Sequence, residues 1–211
     1  MTKKLYLKDQ AYEQIKHMII HGEIDGPVIS EQELVDKLGI SRTPVREALM
    51  RLQNIDNFVT ISPKRGIYIR EITVKEANDL MDVRLATEMF SFERIGELIT
   101  DEQIELLDSL IAKQKEMADK DDVHGFLEYD LAYHQAILEI YGNDYFVWIL
   151  SNITDRLLHL GMRVFTREKE RMKQSIEAHI SINDAIKAGD FEQAKQNLEN
   201  HIKTGKKTYL G

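Results

Sequence analysis

The sequence contains no cysteine, which excludes disulfide bonds, cysteine zinc sites and thiol nucleophiles. Only 3 prolines and 11 glycines occur in 211 residues, so we expect long helices and few turns. The longest wholly apolar run, residues 145–150, is far shorter than the ~20 residues of a membrane-spanning helix. No apolar stretch that could serve as a secretion signal follows the first five residues. We therefore expect a cytoplasmic protein without membrane association.

Charge is distributed unevenly along the chain. Residues 1–72 carry 11 basic and 10 acidic side chains, whereas residues 73–211 carry 17 and 26. The chain is longer than the ~100–150 residues of a typical domain, so we predict two domains, at 5–72 and 73–211. The acidic second domain would repel nucleic acid, so any such contact is expected in the first domain. Acidic helices that are merely solvated are the alternative explanation.

The first domain has the sequence pattern of three short helices. Residues 7–21 repeat apolar side chains at helical spacing, and Gly22 follows as a stop. The Ser-x-x-Glu pattern that begins at Ser30 is typical of a capping box, and Gly39 ends that second helix. Ser41 can cap a third helix. Two helices joined by a short turn that contains glycine predict a helix-turn-helix.

Two runs of alternating polarity, residues 58–61 and 67–70, predict a β-hairpin behind the third helix. The turn between them contains Lys64, Arg65 and Gly66. A hairpin in this position forms a wing, and its basic tip can reach phosphates or a minor groove. Gly66 would allow a close approach of the backbone because it has no Cβ atom.

Arg42 and Arg46 share one face of the third predicted helix because they are four residues apart. Both lie in its N-terminal half, the part that contacts base edges when such a helix enters a major groove. The planar fork of arginine pairs with O6 and N7 of guanine. Two arginines on a protein surface are by themselves usually only solvated. These two occur together with the capping box, the turn glycine and the basic wing, and this combination favours DNA binding.

The second domain is predicted to be an all-α antiparallel bundle of six helices. Capping-box patterns begin at Thr73 and Thr100, and glycines end several helices. The expected helices lie near 74–98, 101–119, 122–141, from 143 or 144 onwards, 167–188 and 191–208. The fold class is therefore mostly α, a winged helix-turn-helix followed by a helical bundle.

Four side chains of this bundle are candidate metal ligands. Asp130 and His134 lie one turn apart on one predicted helix. His179 and His201 lie about 15 and 16 Å from the turn at Gly189, at ~1.5 Å per residue, so an antiparallel hairpin would bring them to the same level. Three imidazoles and a carboxylate suit zinc or nickel, with manganese as an alternative. Hydrogen-bonded core residues are the competing interpretation.

Residues 30–34 and 41–49 resemble the winged helix-turn-helix signature of GntR-type bacterial transcription regulators. The resemblance implies operator binding by Arg42, Thr43 and Arg46, with Gly66 at the wing tip. Gln32 departs from the pattern, because the family often has arginine there.

A second departure lies before the wing, where Asp56-Asn57 replaces the usual Glu-Gly. Asparagine tolerates the left-handed conformation, so we expect that turn to survive at Asn57.

The second domain resembles the FCD effector domain of FadR-subfamily GntR regulators in four features: Asp130 with His134, the Glu177-Ala178-His179 run, residues 188–190 and His201. Six helices rather than seven resemble the VanR-like branch. The resemblance implies that these Asp and His residues bind a divalent metal beneath an effector pocket.

Two further residues are candidates for that pocket. Arg84 resembles an arginine that faces the effector, where it would pair with a carboxylate, although an ion pair with Glu88 at i+4 is equally consistent. Asn152 is a polar residue on an otherwise apolar predicted helix. His17 and His21 have i, i+4 spacing, but no third ligand is apparent near them.

The implied function is that of a homodimeric DNA-binding repressor, not an enzyme, with a double-stranded operator and a small organic-acid effector as partners. A metal-dependent hydrolase or lyase that uses the three-His/Asp site to activate water is one alternative, and a regulator that senses the metal itself is another. No side chain is placed as a general base, and an enzyme would leave the first domain unexplained. Histidine binds metal only when neutral, so occupancy is expected to fall below about pH 6.

Overall fold

The computed structural model describes residues 6–24, 26–96 and 98–210, with side chains up to residue 207. Contacts within the chain divide it into two compact units, Met1–Glu71 and Ile72–Gly211. None of the helices in the described ranges is both long and apolar enough to cross a bilayer.

The first unit is a winged helix-turn-helix, as predicted. Its elements are α1 (Leu7–Ile20), β1 (Val28–Ile29), α2 (Glu31–Leu38), α3 (Arg42–Asn54), β2 (Val59–Ser62) and β3 (Gly66–Ile69). The three strands form an antiparallel sheet in which β3 is central. Thr60 of β2 and Val28 of β1 both pair with Tyr68 of β3. The core is formed mainly by apolar side chains of the three helices, namely Ala11, Ile15, Leu34, Val45, Leu49 and Leu52.

Local sequence signals fix most of these boundaries. The Ser30 hydroxyl accepts a hydrogen bond from the Glu33 amide at 3.1 Å, and the Glu33 carboxylate accepts from the Ser30 amide at 2.7 Å. This is the predicted capping box. Gly39 ends α2 in the left-handed conformation, and Asn57 has a positive φ of 58°, as expected for the turn before the wing.

Two features of the first unit differ from the sequence prediction. β1 was not predicted, because two residues are too few to show a strand period and their partner β3 is about 40 residues away. Ser41 occupies the N-cap position of α3, but its side chain makes no capping hydrogen bond.

The second unit contains the six predicted helices and no strand among its described residues. They are α4 (Val74–Ile95), α5 (Asp101–Asp119), α6 (Val123–Tyr141), α7 (Asp144–Arg167), α8 (Glu170–Lys187) and α9 (Phe191–Leu210). The predicted capping boxes at Thr73 and Thr100 are both present. α4 ends three residues before the predicted limit, and α7 continues to Arg167, where the next helix was expected to begin.

The packing of these helices places α6 at the centre of the unit. α6 contacts α4, α5 and α7, while α8 contacts α5 and α9. The fully buried side chains include Phe92, Leu107, Phe126, Ile137 and Leu138. Polar residues are also buried on the same inward faces, and they form the site described next.

Candidate functional site

Three imidazole nitrogens meet inside the second unit. The Nε2 atoms of His134, His179 and His201 form a triangle in which each side measures 3.2 Å. These residues come from α6, α8 and α9. Asp130 lies one turn before His134, and its carboxylate oxygens are 3.9 Å from Nε2 of His134 and of His179. The structure therefore brings the four predicted ligands together.

The spacing of these donors fits a metal ion. With bonds of ~2.0–2.1 Å to one ion, neighbouring nitrogen donors lie about 2.8–3.4 Å apart, depending on the coordination geometry. One ligand atom from each of the four residues lies within 4.8 Å of those of the others. His134 and His179 are completely buried, whereas His201 is partly exposed.

Neighbouring side chains orient two of the imidazoles. Nδ1 of His134 lies 2.6 Å from a carboxylate oxygen of Glu88, and Nδ1 of His179 lies 2.8 Å from the amide oxygen of Gln114. If each Nδ1 donates its proton to that oxygen, each Nε2 directs a lone pair towards the other at 3.2 Å. Such an arrangement is repulsive unless a cation lies between the nitrogens, and it is typical of metal-binding histidines.

The Asp130 carboxylate is positioned in the same way. It accepts a hydrogen bond of 2.7 Å from the Ser175 hydroxyl. Sequence reasoning missed Gln114 and Ser175, and it considered Glu88 only as a partner of Arg84. Their contacts with the ligands join residues that are 45 to 65 positions apart, so no local pattern indicates them.

Electrostatics keep the imidazoles neutral. Burial, assisted by the positive charge of Arg84, lowers the pKa of His134 to about 3. Burial and the neighbouring imidazoles also hold the pKa of His179 and of His201 well below the ordinary value. Burial raises the pKa of Glu88, although the ion pair with Arg84 opposes this shift. Neutral imidazole is the form that binds a metal.

A cavity of about 300 Å³ adjoins this cluster. Its polar lining includes Arg84, Asp130, Arg171, Asn197, Asn200 and His201. Arg84 also donates from Nε to Glu88 at 2.8 Å, which is the ion pair that their spacing predicts, while a contact of Arg84 with an effector stays a prediction. The sequence analysis did not identify Arg171, Asn197 or Asn200. Asn197 could have been predicted, because it lies four residues before His201 and therefore on the same face of that helix.

Asn152 lies elsewhere. Its side chain is exposed on α7 and donates to the Trp148 carbonyl oxygen at 2.6 Å. It is absent from the residues that line the described cavity. A local hydrogen bond to the preceding turn therefore accounts for a polar residue on this helix.

The first unit displays on its surface five of the six residues predicted to bind DNA. Arg42, Thr43, Arg46, Lys64 and Arg65 are all exposed. Arg42 is the first residue of α3, and Arg46 follows one turn later on the same helix.

Two residues of α2 hold these arginines. Arg42 donates from Nη2 to the amide oxygen of Gln32 at 2.6 Å. Arg46 donates from Nε to the carboxylate of Glu31 at 2.7 Å. Sequence reasoning did not anticipate either contact.

The structure gives Gly66 a different reason to be glycine. Its φ of 109° is unfavourable for other residues, and a Cβ atom would lie 2.9 Å from Cγ1 of Val28. Gly66 thus begins β3 against β1, whereas the turn itself is closed by a 3.0 Å hydrogen bond from the Arg65 amide to the Ser62 carbonyl.

Comparisons with known families and proteins agree with this architecture. Two family models match, the FCD domain over residues 79–204 and "Bacterial regulatory proteins, gntR family" over residues 7–69. A gluconate operon transcriptional repressor of Bacillus licheniformis is 28% identical over 194 residues, which cover 90% of this chain and 79% of the relative. The transcriptional repressor RspR of Escherichia coli K12 is 24% identical over 201 residues, with 93% and 86% covered.

Solved structures share the fold. A GntR transcriptional regulator from Rhodococcus sp. RHA1 has a TM-score of 0.81 at 20% identity, with 97% of each chain covered. A Listeria monocytogenes protein, Lar, described as controlling expression of the agr system, has a TM-score of 0.70 at 16% identity, with 99% of this chain and 98% of that chain covered.

Proposed function

The chain belongs to the gntR family of bacterial regulatory proteins with an FCD domain, and from this premise we propose that it represses transcription under the control of a metal-associated organic acid. Membership in this family makes it a DNA-binding transcription regulator and not an enzyme. The observation that carries the proposal is the cavity that adjoins the four-ligand cluster. Its site of action is the cytoplasm, where operator DNA is found.

Operator reading is assigned to the first domain, residues 5–72. Arg42, Thr43 and Arg46 would enter a major groove from α3, because they are exposed on its N-terminal turns. Lys64 and Arg65 would contact phosphates from the turn of the wing. The contribution of Gly66 is to let β3 begin beside β1 and so fix the position of that turn.

The protein would bind its operator as a homodimer. Two recognition helices are needed to read two half-sites that lie about one helical turn apart. The expected operator is therefore a short palindrome in double-stranded DNA.

Effector binding is assigned to the second domain, residues 73–211. Asp130, His134, His179 and His201 would hold a divalent ion, zinc or nickel, with manganese as an alternative. The ion would supply positive charge at the floor of the cavity.

A small carboxylate would bind in this cavity. Arg84 and Arg171 add positive charge to its lining, and the side-chain amides of Asn197 and Asn200 offer hydrogen bonds for polar substituents. A relative named after a gluconate operon supports an acid of this class. Asn152, which is exposed on α7, is left out of the proposed pocket.

The effector would act by favouring one arrangement of the dimer over another. Such coupling requires only that the acid bind better to the arrangement that does not fit the operator. Release of DNA, and hence derepression, is the expected direction. A regulator that senses the metal alone is the remaining alternative, and separate titrations of metal and of candidate acids into an operator-binding assay distinguish the two.

Operator selection from random DNA tests the recognition assignment. Arg46→Ala should weaken binding to the selected operator by about tenfold or more and relax the base preference at one position per half-site. Arg51→Ala is the matched control on the same helix, because Arg51 lies over the Tyr12 ring at 3.6 Å and is committed to α1. The assignment is wrong if Arg46→Ala selects the same operator with unchanged affinity.

A further inference from the structure

A second group of metal-binding side chains lies in the first unit, where α1 ends. His17, His21 and Glu23 each offer one ligand atom, and these atoms lie within 4.8 Å of one another. The rings of His17 and His21 are stacked, with centroids 3.7 Å apart and an angle of 18° between their planes, so one ring must turn before nitrogens of both can bind the same ion. Nδ1 of His17 lies 3.4 Å from a carboxylate oxygen of Glu23. The third ligand that the sequence did not reveal is therefore Glu23.

The end of α1 creates this arrangement. Gly22 takes a left-handed conformation with φ of 66°, and its amide donates to the Ile19 carbonyl at 3.2 Å. The next amide, that of Glu23, donates to the Met18 carbonyl at 2.9 Å. This pair of hydrogen bonds is a Schellman motif, which reverses the chain after the helix. It returns the Glu23 side chain to the face that carries His17.

The surroundings favour a cation. The C-terminal end of a helix carries partial negative charge, and the carboxylate of Glu23 adds a full one. The side chains of His17 and Glu23 are 56% and 49% exposed, so water can complete the coordination of a bound ion. Two imidazole nitrogens and one carboxylate oxygen suit zinc, nickel or copper better than calcium or magnesium.

We propose that His17, His21 and Glu23 form a second transition-metal site, in the DNA-binding domain and independent of the four-ligand cluster. It binds more weakly than that cluster, because it offers three protein ligands instead of four and stays in contact with solvent. A bound ion links the last turn of α1 to the segment that leads into β1. The proposal goes beyond the effector-controlled repressor proposed above and does not depend on it.

Equilibrium dialysis of the metal-free full chain against Ni²⁺ or Zn²⁺ at about pH 7.5 tests this site. Two metal ions should bind per chain, the first tightly at the four-ligand cluster and the second more weakly at His17, His21 and Glu23. His17→Ala and Glu23→Gln should each weaken the second equivalent by at least about tenfold, since even indirect metal partners contribute ~10–100-fold. His124→Ala is the matched control, because His124 also faces a carboxylate one turn away, that of Glu128 at 3.7 Å. It should leave both equivalents unchanged.

A second measurement locates the ion. Cu²⁺, which is paramagnetic, should broaden the amide resonances of residues 17–23 in the wild type but not in His17→Ala. His134→Ala reports on the other site separately, since it should remove the tight equivalent and leave the weak one. The proposal is overturned if only one equivalent binds to the wild type, or if His17→Ala retains the weak equivalent at full affinity. In that case the contact between His17 and Glu23 is an ordinary ion pair.

Discussion

The arginines proposed to read the operator are not free in the absence of DNA. Arg46 is hydrogen-bonded to Glu31, and Arg42 to Gln32. Each contact occupies one nitrogen of its guanidinium, so DNA that uses the same nitrogen must replace that contact. Glu31 also carries a negative charge that repels the phosphates of DNA. On the operator this repulsion is compensated by the contact of Arg46 with a guanine, whereas on other DNA it is not.

Glu31→Gln should therefore increase the affinity for random-sequence DNA by roughly twofold to fivefold, the range expected for release of an exposed ion pair. Affinity for the operator should rise less, so discrimination between the two DNAs should fall. Fluorescence anisotropy with both DNAs at one salt concentration measures the difference.

Glu47→Gln provides the control, because it removes the same charge from a neighbouring exposed position on α3 without touching Arg46. Equal effects of the two substitutions would show that only net charge matters, and would contradict a specific role for Glu31.

Apart from the four predicted metal ligands, which the hairpin spacing and the family resemblance indicate, residue roles could be predicted from the sequence only where the partner is close in the chain. The ion pair of Arg84 with Glu88 follows from their spacing of four residues. The contact of Glu88 with His134 joins residues 46 apart, and it depends on how α4 packs against α6. The same holds for Glu31 and Arg46, which lie on different helices.

Helix caps are the features of single elements that the sequence predicts best. Ser30 makes both hydrogen bonds of a capping box, whereas Ser41, in the equivalent position of the next helix, makes none with its side chain. Identical residues thus occupy N-caps with and without a capping bond in one small domain.

Ser30→Ala should lower the free energy of unfolding of the first unit by ~1 kcal/mol, while Ser41→Ala should change it by no more than a few tenths. Urea unfolding followed by circular dichroism, without DNA, measures both. Equal losses for the two variants would indicate that the Ser30 capping bonds contribute nothing beyond residue preference at the N-cap.

The strands of the wing show which elements can be predicted from local sequence and which cannot. Its two long strands follow from alternating polarity, and its left-handed residue at Asn57 from side-chain chemistry. The short strand β1 has no such pattern, because its existence depends on β3 offering it an edge. Because β1 has no signal in the sequence, the close approach of Gly66 to Val28 could not be predicted, and a contact of Gly66 with DNA stays a prediction.

At the scale of the whole molecule, the four-ligand cluster connects most of the second unit. Its ligands come from α6, α8 and α9, and the residues that orient them include Glu88 of α4 and Gln114 of α5. A bound ion would therefore stabilise the packing of five helices at once. A ligand that binds only to the folded state raises the free energy of unfolding in proportion to the logarithm of the ligand concentration.

Burial changes the expected pH dependence of this site. Exposed histidines would begin to lose a metal to protons near pH 6, but the pKa of His134 is about 3 in the folded unit. As long as the unit stays folded, protons therefore displace the metal from these imidazoles only at a lower pH. Unfolding, which exposes the imidazoles, becomes the route by which acid releases the metal.

The metal-free chain should consequently lose stability as the pH falls below about 6.5. Between this value and the folded pKa, the unfolded chain binds protons at His134, His179 and His201 that the folded unit does not. Each net proton contributes about 1.4 kcal/mol per pH unit. Glu88 acts in the opposite direction because its pKa is raised in the fold, so the net uptake should lie between one and three protons.

Urea unfolding of the full chain between about pH 5 and 8 measures this dependence. The only tryptophan, Trp148, lies on α7, so its fluorescence follows the second unit. Addition of Zn²⁺ should raise the stability of this unit above pH 6 by more than it raises that of the His134→Ala variant. His124→Ala should leave the acid dependence as it is in the wild type. A metal-free stability that stays constant from pH 8 to 5 would mean that the three imidazoles take up protons in the fold as readily as in the unfolded chain, and burial would then not protect a bound metal from acid.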